Sequence, residues 1–189
     1  MNVIDIEKML IINASPRNNG VCKRLVDKLI DEFAEYIPIS KIKVLDVYDL
    51  NIEYCTNCDY CAKYKGCIHD DDMVNVYKYL NESNSICIVS PIYFNSIPAP
   101  FKTLIDRLQA VYNSKYILND SMIDRNKKRN INIYLVGGQK YTEDQFTGAS
   151  EVLKIFCKAI NADYESGYTI SNTNNTGKIK DYILNELKL

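Results

Sequence analysis

Cys55, Cys58, Cys61 and Cys67 stand in one short stretch with the spacing C-x2-C-x2-C-x5-C. Thiolates this close along the chain can converge on one point without a distant segment, which is what a cuboidal iron–sulfur cluster asks of its ligand loop. No proline follows Cys67 and no second run exists, so a single cluster would take all four. Gly66 permits a sharp turn just before the last ligand. Other chemistries are open to the same residues. Structural zinc usually takes two separated C-x2-C knuckles with a spacer of roughly a dozen residues, and here the knuckles overlap on Cys58. Disulfides belong to oxidising compartments, yet residues 1–8 are charged and the apolar stretch 9–12 is too short for a signal core. A cysteine-rich loop that binds nothing is the plain alternative. His69, the one histidine, can either replace a thiolate or be an ordinary loop side chain.

The other three cysteines read as structural. Cys22 falls on an apolar stripe with Leu25, Val26, Leu29, Ile30 and Phe33, at the spacing of one helix face. Cys157 shares a similar stripe with Val152, Leu153, Phe156 and Ile160, and Cys87 sits within the apolar run 86–89. Free cysteine often serves as a small buried hydrophobe.

These residues must be positioned by a fold. At 189 residues with a net charge of −1, the chain is within the range of a single α/β domain, 1–189, with a core of its own. No basic block points to nucleic acid, and no apolar stretch approaches the eighteen or so residues of a membrane span. Seven cysteines without a signal sequence point to a reducing cytoplasm. Apolar runs at 9–12, 42–47, 86–89, 131–136 and near 164–170 read as strands. Helical periodicity marks 21–35, 71–80, the face Phe101, Leu104, Ile105, Leu108 and Val111, then 150–160, and a closing helix over 178–187. Strict alternation implies a parallel sheet covered on both faces. The expected architecture is a flavodoxin-like, doubly wound α/β sheet of five parallel strands in the order 2-1-3-4-5. The cysteine-rich loop, 54–72, then follows strand 2. The switch point of that order lies between strands 1 and 3, so a ligand should touch the loops after them.

Both loops carry suitable chemistry. After strand 1 comes Asn13-Ala14-Ser15-Pro16-Arg17-Asn18-Asn19-Gly20, then a helix. Its backbone N–H groups and dipole suit an anion, Ser15 and Asn19 can donate, and Arg17 can pair with a phosphate. The glycines of G-x-G-x-x-G and the lysine of a P-loop are missing, so a monophosphate fits better than a dinucleotide or triphosphate. A polar strand–helix turn with an ordinary cap is the bland alternative. After strand 3, Ser90-Pro91-Ile92-Tyr93-Phe94-Asn95-Ser96-Ile97-Pro98 forms an aromatic, proline-stiffened loop able to pack against a planar ring. Strand 4 ends in Gly137-Gly138-Gln139, where absent side chains allow close approach or merely a tight turn.

Ser15-Pro16-Arg17, the cysteine run ending in Asp71-Asp72-Met73, and Pro91-Ile92-Tyr93 with Lys102 and Asp106-Arg107 resemble the NAD(P)H-dependent FMN reductase-like flavoproteins over roughly residues 9–177. The cysteine spacing is similar to that of the iron–sulfur flavoproteins within that group, which carry FMN and one [4Fe–4S] cluster. The resemblance implies that Ser15, Arg17, Asn19, Gly20 and Cys22 surround the FMN phosphate end. Pro91, Ile92, Tyr93, Phe94, Asn95 and Ser96 would line the isoalloxazine, with Gly137 and Gly138 at its border. Cys55, Cys58, Cys61 and Cys67 would ligate the cluster. The chain departs from the family where Ala14 replaces a frequent glycine and Val21-Cys22 a frequent Asn-Thr, which removes one phosphate hydroxyl. The resemblance further implies a homodimer or tetramer, with Tyr112 and Tyr116 as interface aromatics.

No side chain is assigned as catalytic, since FMN carries the chemistry and the protein supplies binding and orientation. Lys102 and Asp106, four apart on a helix, have the plain reading of a solvated ion pair. Three functions follow: an iron–sulfur flavoprotein exchanging electrons between cluster and FMN, a cluster-free NAD(P)H-dependent FMN or quinone reductase, and a flavodoxin-like electron shuttle. NAD(P)H or reduced ferredoxin would be the donor and a small molecule the acceptor.

Overall fold

A computed structural model describes residues 6–174 and 183–186. Six strands form one sheet in the order β2-β1-β3-β4-β5-β6. They are β1 (Met9–Asn13), β2 (Ile42–Asp46), β3 (Ser85–Pro91), β4 (Arg129–Val136), β5 (Ala162–Ser171) and β6 (Ile183–Glu186). The first five pair in parallel, in the flavodoxin-like order expected. β6 instead joins β5 antiparallel, with Ile183 opposite Ser171 and Glu186 opposite Tyr168. This corrects the closing helix expected over 178–187: residues 183–186 form a strand, and the rest of that stretch lies outside the described residues. An open edge on β5 offers a row of backbone partners, and such pairing overrides a weak helical pattern.

The central strands are apolar throughout because both of their faces are covered. Along β1, Leu10 and Ile12 join one core while Met9 and Ile11 join the other. Four helices pack on the first side: α3 (Met73–Glu82), α4 (Ala99–Arg107), α5 (Gln109–Tyr116) and α6 (Thr147–Ile160). On the second, α1 (Val21–Ala34) places Cys22, Val26, Leu29 and Phe33 against the sheet. Val26, Leu29 and Phe33 each contribute about 1.5–3 kcal/mol on full burial. A four-residue helix, α2 (Tyr60–Lys63), lies inside the cysteine loop.

One helix expected around the 101–111 face is in fact two. Leu108 has ψ of −3°, and its N–H bonds Ile105 O at 3.0 Å, a tightened turn between α4 and α5. The apolar period survives the break, which is why periodicity alone passes over it. Two of the buried cations cap helix ends. Lys115 Nζ donates to the carbonyls of Lys158 and Ala159 and to Asn161, capping α6. Arg129 reaches the carbonyls of Leu80, Asn81 and Ile160. Both satisfy carbonyls that a helix end leaves orphaned. No helix among the described residues is long and apolar enough to cross a membrane.

Candidate functional site: a crevice and a thiol pocket

Parallel strands send all their following loops to one edge, and there a crevice of about 350 Å3 opens. Ser15, Arg17, Gly20 and Cys22 line it from the first loop, and Pro91, Ile92, Tyr93, Phe94 and Asn95 from the third strand's end. Gly138 lines it from the end of β4. Asn19, Ser96 and Gly137, expected with them, are not in the lining. The Asn19 carbonyl accepts from Arg24 at 2.9 Å, and the Gly137 N–H is spent on Ile170 O at 2.7 Å. Ser96 closes a two-residue hairpin, exchanging backbone bonds with Tyr93 at 2.9 and 3.0 Å.

At the phosphate-ready end, α1 begins at Gly20 with no side-chain cap and no acidic residue in its first turn. Its N–H groups and positive dipole end are thus left for an external anion. The turn is held from below: Ser15 N–H donates to Asn13 Oδ1 at 3.2 Å, and Arg17 N–H to Ser15 Oγ at 3.3 Å. Asn13 in turn donates to Asp46 at 2.5 Å. Arg17 and its neighbours point outward and exposed.

The opposite wall is unusual in its backbone. Phe94 and Asn95 both have positive φ, 50° and 58°, as a primed two-residue turn requires. An aromatic residue in that region is strained, and the Phe94 ring is fully exposed. Behind it, a Cβ on Gly148 would sit 2.5 Å from the Asn95 carbonyl, so the start of α6 can approach this hairpin only as glycine.

Sequence reasoning missed Val21, Val136, Gln139, Gln145, Thr173 and Asn174, which complete the lining. Residues 172–174 run beside the β4 loop, with Asn174 N–H on Gly138 O at 3.0 Å and Thr173 Oγ1 on Gly137 O at 3.1 Å. The available signal was topological: they follow the fifth parallel strand and so return to the same edge.

A second pocket, of about 50 Å3, is lined by all four cysteines of the run together with His69, Arg107, Gln109 and Asn113. Asn57 and Asp59 have φ of 54° and 59° and Gly66 of 102°, so the backbone turns back on itself between the cysteines. For Gly66 this backbone angle, not space, explains the residue, since a Cβ there would meet nothing.

The loop is pinned at its base. Buried Arg107 grips Asp71 through both nitrogens of its fork, at 2.6 and 3.2 Å, and donates to Glu53 O at 2.6 Å. Asp71 also accepts from Glu53 N–H at 3.0 Å and Met73 N–H at 3.1 Å. Burial pushes the Asp71 carboxyl up, but the Arg107 fork and these N–H groups outweigh it and hold it below its ordinary value. Asp72 bonds Asn51 N–H at 2.7 Å and makes no side-chain cap for α3. Just before that helix it is Asp71 that accepts from the Met73 N–H. Arg107 was quoted from the sequence only as part of a motif; its role as clamp needs the contact of two segments far apart. Lys102 and Asp106 are the exposed i,i+4 pair expected, at 2.6 Å.

The remaining cysteines are elsewhere. Cys22, Cys87 and Cys157 are buried, and burial pushes Cys22 and Cys87 up to about 12 and Cys157 to about 11. All three stay protonated at neutral pH. Among the described residues, no three His, Cys, Asp or Glu side chains converge as a single metal ion requires. Zn–S bonds of about 2.3 Å would put tetrahedral sulfurs about 3.8 Å apart. An iron–sulfur cluster takes four thiolates, the number of cysteines that line this pocket.

Four buried side-chain atoms among the described residues lack a hydrogen-bond partner: His69 Nε2, Arg107 Nε, Gln145 Oε1 and Ser171 Oγ. Buried polar atoms are seldom left unpaired. His69 and Arg107 line the thiol pocket, Gln145 lines the crevice, and Ser171 ends the strand that leads into it. Three of these four residues thus belong to the walls of the two cavities.

The profile of NADPH-dependent FMN reductases matches residues 8–126. The chain belongs to this family. An iron–sulfur flavoprotein of Methanocaldococcus jannaschii is 38% identical over 110 residues, covering 55% of this chain and 52% of the relative. An iron–sulfur flavoprotein of Clostridioides difficile is 33% identical over 98 residues, with 51% and 44% covered. The chain spans about half the length of these curated relatives. Among solved structures, an FMN-dependent NADH-azoreductase from Bacillus anthracis in complex with FMN superposes with a TM-score of 0.64. It is 17% identical, with 92% of this chain and 91% of that one covered, a likeness that speaks for the fold alone.

Proposed function

We propose that this member of the FMN reductase family is an FMN-dependent oxidoreductase of the iron–sulfur flavoprotein kind, exchanging electrons between FMN and one [4Fe–4S] cluster. The partition of the cysteines carries the reading. Cys55, Cys58, Cys61 and Cys67 line one pocket at the base-pinned loop, while the other three are buried thiols in the cores. The flavin supplies hydride and one-electron chemistry, and the thiolate-held group one-electron chemistry. The chain's own residues bind and orient. Arg17, Ser15 and the N–H groups at the start of α1 hold the phosphate, and Ile92 to Asn95 face the ring from the hairpin. Gly138 keeps the β4 side open, where a Cβ would meet Asn174 at 2.6 Å. NAD(P)H or reduced ferredoxin is the donor and a small molecule the acceptor.

The crevice is shallow on its open side, and a neighbouring subunit of a homodimer or tetramer would cover it. Tyr112 and Tyr116, half exposed with rings 4.8 Å apart, suit such an interface. A second reading, a cluster-free NAD(P)H-dependent FMN or quinone reductase, is favoured by the exposure of Cys55 and Cys58.

Anaerobic purification with flavin, iron and sulfide assays separates the two. The expected composition is one FMN and one cubane of iron and sulfide per chain, with Cys58→Ser losing the iron and keeping the flavin. Reconstituted chain that holds FMN but no iron would leave the second reading standing.

A further inference from the structure

Asn113 Nδ2 lies 3.2 Å from Cys61 Sγ, placed to donate to that sulfur. Its orientation is set from the other side, since Gln109 Nε2 donates to Asn113 Oδ1 at 3.0 Å one turn earlier on α5. An amide whose oxygen is already engaged presents its N–H groups to what remains, here the sulfur. Asn113 is buried and Cys61 half-buried, so the bond is partly shielded from water. Arg107, also buried, lines the same pocket and keeps an Nε–H with no partner. Asp71, which neutralises it, is not in the lining, so the pair's positive end lies toward the sulfurs. The α4–α5 corner therefore places an amide donor on Cys61 and a guanidinium in the pocket wall.

We propose that Asn113, oriented by Gln109, is a positioning residue that sets the reduction potential of a cluster held by Cys55, Cys58, Cys61 and Cys67. The inference rests on the cluster reading above and adds to it. A cubane with four thiolates carries a net charge of minus two when oxidised, and minus three after one electron is added without a proton. Hydrogen bonds to the sulfurs and nearby positive charge favour the more negative state, and so raise the potential. Asn113 and Gln109 are positioned to do so without titrating themselves. The geometry also makes the four sulfurs unequal, because the Asn113 amide reaches Cys61.

The test uses the full chain, reconstituted anaerobically and titrated with dithionite while the spectrum and paramagnetic resonance are followed. Asn113→Leu removes the donor, Asn113→Asp replaces it with an acceptor, and Gln109→Leu frees the amide. Each should retain wild-type iron, sulfide and FMN. The midpoint of the cluster should shift to more negative values in the order Asp, then Leu, then the Gln109 variant, with the flavin midpoints unmoved. The iron–thiolate stretching bands should also shift in Asn113→Leu, a change that a purely structural role would not produce. Variants that load fully and titrate with the wild-type midpoint would overturn the proposal. So would variants that fold and bind FMN but cannot hold iron, since Asn113 would then serve assembly. Wild-type chain that takes up no iron would instead overturn the cluster reading itself, which the iron assay shows before any titration begins.

Discussion

The lining of the crevice comes from stretches that only the sheet brings together, 15–22, 91–95, 136–145 and 173–174, whereas the thiol pocket takes its sulfurs from one loop, 55–67. The first is distributed and rests on parallel strands whose register is fixed by two apolar cores. The second is local in sequence, and a few polar contacts at its base hold it: Arg107 with Asp71 and Glu53, and Asp72 with Asn51. A distributed site should lose affinity gradually as single contacts are removed. A local loop hung on one buried clamp should fail at once when that clamp goes.

The largest effect expected follows from that contrast. Arg107→Ala leaves the buried Asp71 carboxylate without its partner and the Glu53 carbonyl without its donor. Breaking one side of a buried pair costs about 3–5 kcal/mol. Chemical denaturation should show that loss, and the folded fraction should bind little iron while still taking up FMN. If FMN and iron are lost in equal measure, the two sites are not independently supported and the contrast fails.

How far each region was legible in the sequence follows the same division. The cysteine run could be read directly, because its chemistry is contiguous, and the loops after β1, β3 and β4 could be placed once the strands were recognised. Arg107 was harder. On a helix it reads as one more cation beside the Lys102–Asp106 pair, and only the fold brings it against Asp71, thirty-six residues away. Asn113 and Gln109 carry no motif at all, and the bond from Asn113 to Cys61 exists only because α5 packs beside the loop. Thr173 and Asn174 were hidden by attention to the first four strands. The segment 183–186 begins with two apolar residues, Ile183 and Leu184, that fit either period, and pairing with β5 decided between them. Local chemistry is legible from spacing; contacts between distant segments need the topology first.

On the distributed side, Arg17→Ala should weaken FMN binding by about 1.5–3 kcal/mol, the range for a charge-assisted contact. That corresponds to a rise in Kd measured by flavin fluorescence, with iron content unchanged. A variant that binds FMN as tightly as the wild type would place the phosphate elsewhere.

Gly148→Ala probes how the hairpin wall is supported. Its new Cβ would lie 2.5 Å from the Asn95 carbonyl, an immovable backbone atom, and overpacking of this kind costs about 1–3 kcal/mol. Gly138→Ala meets only the end of the Asn174 side chain, which can swing away. The first should therefore lower both stability and flavin affinity, and the second should lower affinity alone. Equal losses of stability in thermal melts would mean that the hairpin moves as easily as a side chain.

The smallest effect on stability, and the sharpest on the meaning of the crevice, belongs to Phe94. Its ring buries nothing in the isolated chain, and its φ of 50° is one that a bulky residue adopts at a cost of about 1–3 kcal/mol. Asparagine visits the same region far more readily, and no core contact is lost on replacing the phenyl ring. Phe94→Asn should thus unfold at the same denaturant concentration as the wild type or slightly above it. FMN affinity or the rate of flavin reduction should nevertheless fall, because the aromatic face beside Tyr93 is gone. A strained, exposed aromatic that costs stability and returns none is kept for contact with something outside the chain. If Phe94→Asn were destabilised by as much as a core substitution, the hairpin would be part of the fold's support, and the crevice would share the single-point fragility of the thiol loop.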